Sequence, residues 1–339
     1  MIVPTETNPT TSAQVAAVRP ATLSEWRIVA DADEDATFFH GPVWAELCEA
    51  YTEGAVRPGP KLVEFTDGRS AILGITKVPT RIPGLMRDTL SPEGNCGGWV
   101  SADALSERHM LSLAEVVLRA SACVWRVGPA DEDLVAVAPD GGREEFTHVI
   151  DLREGASAAR ELWRPEARRT AARAARRGAR VVEGTSRSHW AAYAQLYRSS
   201  VQRWDRPLVV HRDSLFSHLS ARAGQGVRLW LVELDGEPCA GAVVFTHRRY
   251  ATYWHAASAP ERCPGAANLL HWELLHVLAD EGIQTYDLNG SGPLTGVIRF
   301  KESLGARRAR VLAYERRHPL ERAASTVKGL LGRGDEGGR

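Results

Sequence analysis

The sequence predicts an α+β protein of two domains. Three observations carry this. The chain has 339 residues, a length that suits two ordinary domains and a core needing no staples. Short alternating segments joined by Asp-Gly turns recur in both halves. In the second half several antiparallel strands are followed by a long apolar helix and a further strand, which is an α+β order.

The elements follow in turn. Gly41-Pro42-Val43-Trp44 is a helix start, and Trp44, Leu47, Cys48 and Tyr51 fall at helical spacing. Residues 61–66 and 71–78 read as two strands around an Asp67-Gly68 hairpin turn. Residues 90–99, with Ser91-Pro92-Glu93-Gly94 and Gly97-Gly98, are a loop by composition. Residues 104–120 form an amphipathic helix and 146–152 a strand. The second half opens with an Arg-rich helix over about 163–178, then helices over 189–203 and 212–223. Strands are expected at 227–234, 240–247 and 250–257, with Asp235-Gly236 in the first turn. An apolar helix (266–281), a strand at 285–288 and a last strand near 309–316 complete the plan. The boundaries read from composition are a loose N-terminus (1–22), a first domain (23–150), a second (151–318) and a flexible tail (319–339).

Charge and cysteine usage narrow the function classes. Lys plus Arg (42) equals Asp plus Glu (42), so no basic field spans the molecule and tight non-specific nucleic-acid binding loses ground. The five cysteines are odd in number and form no CxxC motif, which reads as reduced thiols in a cytoplasmic protein with no metal site. No secretory signal and no run long enough to span a bilayer is seen. No Ser-His-Asp order, HExxH motif or Walker-type loop appears, so hydrolase and nucleotidase chemistry lack support. Nothing in the pattern assigns an oligomeric state.

Several groups remain as chemical candidates. Seven arginines lie between Arg164 and Arg180, and Arg169, Arg173, Arg176 and Arg180 share one helical stripe. Ala167, Ala171, Ala174 and Gly178 share the opposite, small one. The cationic stripe answers either a polyanion or only solvent. Arg262 to Ala267 fits R-x-x-G-x-A, with Gly265 and Asn268 at a helix start whose amides suit a pyrophosphate, although a Pro-Gly loop reads equally well. Asp287 ends a strand beside Asn289-Gly290, as a turn cap or as a catalytic group that steers or deprotonates an incoming amine. Lys301, one of only four lysines, follows Phe300 at the opening of the next element; it is either a surface lysine or a compact charge for an oxyanion. Alternation places Tyr253 and His255 on one strand face, with core packing as the default reading.

The order and spacing of these motifs resemble the FemABX-like branch of the GNAT acyltransferases, over residues 38–318. The likeness rests on the Trp44 helix and the Ser-Pro-x-Gly loop. It continues in His148-Val149-Ile150-Asp151-Leu152, Leu162-Trp163, Arg169 and Arg173-Ala174. It ends in Gly241-Ala242, Tyr253, Asn268-Leu269-Leu270, Tyr286-Asp287, Phe300-Lys301 and Gly305. The resemblance implies two tandem GNAT-like domains, with mixed, mostly antiparallel sheets flanked by helices. It implies amide formation, with aminoacyl-tRNA as donor and a peptidoglycan precursor or small amine as acceptor. No bound cofactor is needed. Lys301 matches the lysine that steadies the tetrahedral intermediate, and Phe300 the residue that positions the terminal adenosine. Arg203 corresponds to the acceptor-phosphate contact, with Tyr253 and His255 on the acceptor side. Arg169, Arg173, Arg262, Gly265, Ala267 and Asn268 fall on the donor side, and Asp287 beside Lys301. Two departures stand out: no helical arm interrupts the second domain, and R-x-x-G-x-A is more typical of CoA-using members. Acyl-CoA is thus the alternative donor, and a non-catalytic binding protein on the same fold is a third reading.

Overall fold

The computed structural model describes residues 13–90, 92–203 and 211–323, which form two compact units. The first comprises residues 13–33, 39–144 and 311–323, the second 34–38 and 145–310.

The first unit begins with β1 (Val15–Pro20) and α1 (Leu23–Ala32), whose start is fixed by a reciprocal Thr22–Glu25 capping box. The loose N-terminus expected over 1–22 therefore does not hold for Val15–Pro20. Antiparallel pairing with β3 (Lys61–Phe65) satisfies that backbone, which composition does not register. Residues 1–12 lie outside the described residues. α2 (Pro42–Tyr51) starts on Pro42 and buries Trp44, Leu47 and Cys48, as its periodicity requires. β2 (Arg57–Pro58) precedes β3.

The single strand expected over 71–78 is two, β4 (Ser70–Leu73) and β5 (Thr76–Pro79). Between them, at Gly74, a Cβ would stand 2.8 Å from the Trp26 ring, and the chain passes there from one sheet to another. One sheet runs β1-β3-β4-β7, with β7 at Trp99–Val100. The other takes β2, β5, β6 (Met86–Thr89) and β8 (Cys123–Val127). α3 (Glu107–Leu118) and α4 (Glu132–Val137) complete the unit. Its core holds Val63, Phe65, Leu73, Leu113, Val117 and Trp125.

The second unit carries β9 (Arg143–Asp151), α5 (Gly155–Glu161), α6 (Pro165–Arg176), β10 (Arg180–Glu183), α7 (Arg187–Gln202) and α8 (Asp213–Ser220). β11 (Val227–Leu234), β12 (Glu237–His247), β13 (Tyr250–Ser258), α9 (Ala266–Asp280), β14 (Thr285–Gly290) and α10 (Thr295–Ser303) follow. β15 (Arg307–Arg316) leaves this unit and pairs with β8 from Leu312 onward. Of the expected flexible tail, residues 319–323 are helical and the rest lies outside the described residues. The sheet order is β10-β11-β12-β13-β14-β9, antiparallel except for the parallel pair β13–β14. The α+β plan of two units with mostly antiparallel sheets flanked by helices is therefore the observed one.

Two details of this sheet position the site. β13 and β14 pair only through Tyr250–Thr252 and Thr285–Asp287, so the rest of β13 has no β14 partner. β14 and β9 shift register between Asp287 and Gly290: Asp287 faces Val149, and Gly290 faces Thr147. Two β14 residues, Leu288 and Asn289, thus oppose the single residue His148, which is a β-bulge. Asn289 takes the left-handed backbone (φ +63°) that the bulge requires.

On α6, Ala167, Ala171 and Ala174 are buried and Arg169, Arg173 and Arg176 exposed, the division that the spacing demands. The stripe stops at Arg176, however. Gly178 turns the chain with φ +92°, leaving Arg180 to open β10.

Candidate active site

Lys301 sits in the last turn of α10, so Phe300 and Lys301 close a helix rather than open an element. The lysine is 5% exposed, and its Nζ donates to the carbonyls of Asn289 (2.8 Å) and Gly290 (3.2 Å), at the β14 bulge. A buried ammonium is costly without such partners. Burial lowers its pKa to about 8, and the Asp287 carboxylate opposes that shift.

Asp287 is buried at the end of β14 and fully engaged. One carboxylate oxygen accepts from the Thr147 hydroxyl and from Asn289 N–H (2.7 Å), the other from the Tyr250 hydroxyl (2.9 Å). Burial raises its pKa, against the pull of these three hydrogen bonds and of Lys301.

A line of rings leads from Lys301 to the unpaired part of β13. Phe300 stands 5.7 Å from His271 between ring centroids, and His271 stands 4.6 Å from Tyr253. His271 Nδ1 and the Tyr286 hydroxyl share a hydrogen bond of 3.1 Å, while among the described residues its Nε2 has no hydrogen-bond partner. Burial first, then the Lys301 charge, lowers the His271 pKa to about 3, so the imidazole is neutral.

Tyr253 also lines a cleft of about 320 Å³ with Arg203, Gly241, Ala257 and Ala267. Gly241 in its lining is closely packed on its other side: a Cβ there would stand 2.8 Å from Leu231 and 3.0 Å from Tyr193. Arg203 caps α7, donating to Ser199 O (3.1 Å), Ser200 Oγ (3.2 Å) and Ser258 O.

His255 is elsewhere. The register shifts between Val243 and Val244, so Trp254 is an extra residue in β13 and alternation fails. Tyr253 packs toward α9, while His255 packs among Tyr193, Tyr197 and Phe216 of α7 and α8. Its Nδ1 shares a 2.6 Å hydrogen bond with the Tyr193 hydroxyl, and burial lowers its pKa to about 3. The expectation that Tyr253 and His255 share one face is thus corrected.

In the R-x-x-G-x-A segment the glycine serves close packing. Gly265 caps α9 with φ +90°, and a Cβ there would stand 2.7 Å from the Thr170 carbonyl oxygen. The space freed by the missing side chain is filled by α6. Arg262 donates to Pro238 O (3.3 Å), and Asn268 lies half-buried in the first turn of α9. Arg169 and Arg173 stand apart on the exposed face of α6, with Arg169 paired to Glu166 at 2.9 Å.

The structure therefore gathers Lys301, Phe300 and Asp287 around one bulge, and Arg203, Tyr253 and Ala267 around one cleft. Sequence reading gave no role to Thr147, His148, Tyr250, His271 or Tyr286. His148 and Tyr286 stood only as parts of the motifs quoted for the resemblance, and Thr147, Tyr250 and His271 only as polar residues inside otherwise apolar runs. Among the described residues no group of His, Cys, Asp and Glu is placed to hold a metal ion, and no helix is long and apolar enough to cross a membrane.

Residues 164–302 match the family described as Acetyltransferase (GNAT) domain, so the second unit carries a GNAT acyltransferase domain and the chain is a transferase. Across both units the fold is similar to FemX, with a TM-score of 0.70 at 13% identity over 91% of this chain and 99% of that one. The fold is thus the one that the FemABX resemblance of the sequence motifs implies. The C-terminal domain of a protein described as a lysylphosphatidylglycerol synthetase from Agrobacterium fabrum is also similar, with TM-score 0.56, 14% identity, and 91% and 97% of the two chains covered. L-PGS from Bacillus licheniformis follows, with TM-score 0.51, 15% identity, and 85% and 96% covered. No curated protein sequence matches the chain.

Proposed function

We propose that the protein transfers an aminoacyl group from aminoacyl-tRNA to an amine, forming an amide. The observation that carries this reading is the buried Lys301 ammonium, held by two carbonyls at the β14 bulge. A fixed charge with a remaining N–H is suited to the oxyanion of a tetrahedral intermediate. In the reaction the amine nitrogen attacks the ester carbonyl, the C–O bond to the terminal ribose breaks, and that ribose regains its hydroxyl. No covalent enzyme intermediate is required; rate comes from positioning and from charge stabilisation.

Within this reading, Phe300 and its neighbouring rings stack the terminal adenosine, and the α6 arginines, Arg169 and Arg173, meet the tRNA backbone. Arg203 and Tyr253 receive the acceptor in the cleft. Asp287 shapes the bulge instead of removing a proton, because its oxygens already accept three hydrogen bonds. His255, held by Tyr193, has a packing role. The acceptor class follows the FemABX resemblance: a peptidoglycan precursor or a small amine, met in the cytoplasm. The names of the lysylphosphatidylglycerol synthetase and FemX neighbours support aminoacyl chemistry on this fold.

The second reading keeps the chemistry and changes the donor to acyl-CoA, through Arg262, Gly265, Ala267 and Asn268 at the start of α9. The Thr170 carbonyl against Gly265 speaks against it. Transfer of label to an amine from charged total tRNA, set against transfer from acetyl-CoA, separates the two.

A further inference from the structure

The amine must lose a proton, and Asp287 is already occupied. His148 is the group left over. It lies directly opposite the Leu288–Asn289 bulge, whose Asn289 carbonyl, with that of Gly290, holds Lys301. It is 2% exposed, yet neither ring nitrogen has a hydrogen-bond partner among the described residues. Leaving a buried polar group unpaired costs about 1–3 kcal/mol, and such exceptions call for a reason. Thr147, the next residue on β9, points to Asp287, so His148 faces the other side of the strand, as Ile150 does among the core residues around Tyr286. An imidazole that the fold neither hydrogen-bonds nor exposes, beside the charge assigned to the oxyanion, is placed to serve a ligand.

We propose that His148 is the catalytic base that takes the proton from the attacking amine. The acceptor ammonium first releases one proton to solvent. As the neutral amine nitrogen bonds to the acyl carbon, a second proton passes from it to a ring nitrogen of His148, directly or through one water. The same proton goes to the departing group, the ribose oxygen of an ester or the sulfur of a thioester, when its bond to the acyl carbon breaks, so His148 ends neutral. The inference rests on acylation of an amine and not on the donor class.

The groups facing the imidazole are Lys301 and Glu302 of α10 and Arg308 of β15. Burial lowers its pKa, Lys301 and Arg308 lower it further, and Glu302 opposes them. His148 is therefore in its basic form at neutral pH.

The test compares wild type, His148→Gln and His148→Ala in amine acylation with labelled total aminoacyl-tRNA and with acetyl-CoA. The expected result is a fall in kcat of about 10²–10⁴-fold, with the acceptor KM little changed. The wild-type kcat/KM profile has one acid limb from the acceptor ammonium and a second, below the ordinary histidine range, from His148. Only the second disappears in His148→Gln, and added imidazole restores part of the His148→Ala rate. NMR titration of the His148 ring checks, independently of turnover, that it loses its proton below the ordinary histidine range. A His148→Gln protein that melts as wild type does and keeps both the rate and the second acid limb overturns the proposal. So does a slow variant that keeps the second, lower acid limb and ignores imidazole. If wild type acylates no amine from either donor, the functional reading itself fails and this proposal falls with it.

Discussion

Lys301 differs from the other described lysines in its surroundings. The side chains of Lys61 and Lys77 are 38% and 44% exposed and share Asp88, while Lys301 is buried on two backbone carbonyls. Lys301→Ala is expected to lower kcat by about 10²–10³-fold, as removal of an oxyanion donor does, with a far smaller change in acceptor KM. The pH dependence has a definite sign. Burial puts the Lys301 pKa at about 8, so the charge is present below that pH and lost above it. Wild-type kcat should fall as pH rises through about 8, and a rate that keeps climbing there would remove Lys301 from the role. Asp287→Ala leaves Thr147, Tyr250 and Asn289 without their acceptor. Its expected effect is a loss of about 1–3 kcal/mol in urea-unfolding stability. The lone Phe-Lys pair was legible in the sequence because the chain otherwise uses arginine. His148 was not, since its significance depends on a bulge in the facing strand.

At the scale of elements, periodicity located most helices and strands, and irregularities hid the rest. The α6 spacing gave the buried alanines and exposed arginines correctly, but the glycine turn that detaches Arg180 required the backbone. Strict alternation along β13 failed at Trp254, where one extra residue sends Tyr253 and His255 to different neighbours. The break at Gly74 was passed over because residues on both sides favour strands, and there the chain runs close to the Trp26 ring and the Gly98 and His40 carbonyls. The exposed α6 face yields a separate expectation. Arg169→Glu with Arg173→Glu should leave the melting temperature nearly unchanged while weakening retention of charged tRNA. Each phosphate contact removed should also flatten the slope of log affinity against log salt by about 0.7–0.9. Undiminished retention with an unaltered slope would make the arginines a solvated face.

At the scale of the whole molecule, the two-unit α+β plan could be read from length and element order. The way the chain divides could not. The second unit takes back residues 34–38, and β15 passes from the second unit to the first, so neither unit is one continuous stretch. Sequence motifs were most informative where a residue type stands out from the composition, as Lys301 does in a chain that otherwise uses arginine. At Gly265 the backbone adds what the motif does not show, close packing of α6 on α9. The central claim is aminoacyl transfer from tRNA to an amine, and one measurement reaches it most directly. Purified protein is mixed with charged, labelled total tRNA or with labelled acetyl-CoA, each with an amine acceptor, and the amide product is counted in a single turnover. Label in amide from charged tRNA, absent with Lys301→Ala, is the expected result. Amide formed only from acetyl-CoA would contradict the account and make this an acyl-CoA-dependent N-acyltransferase.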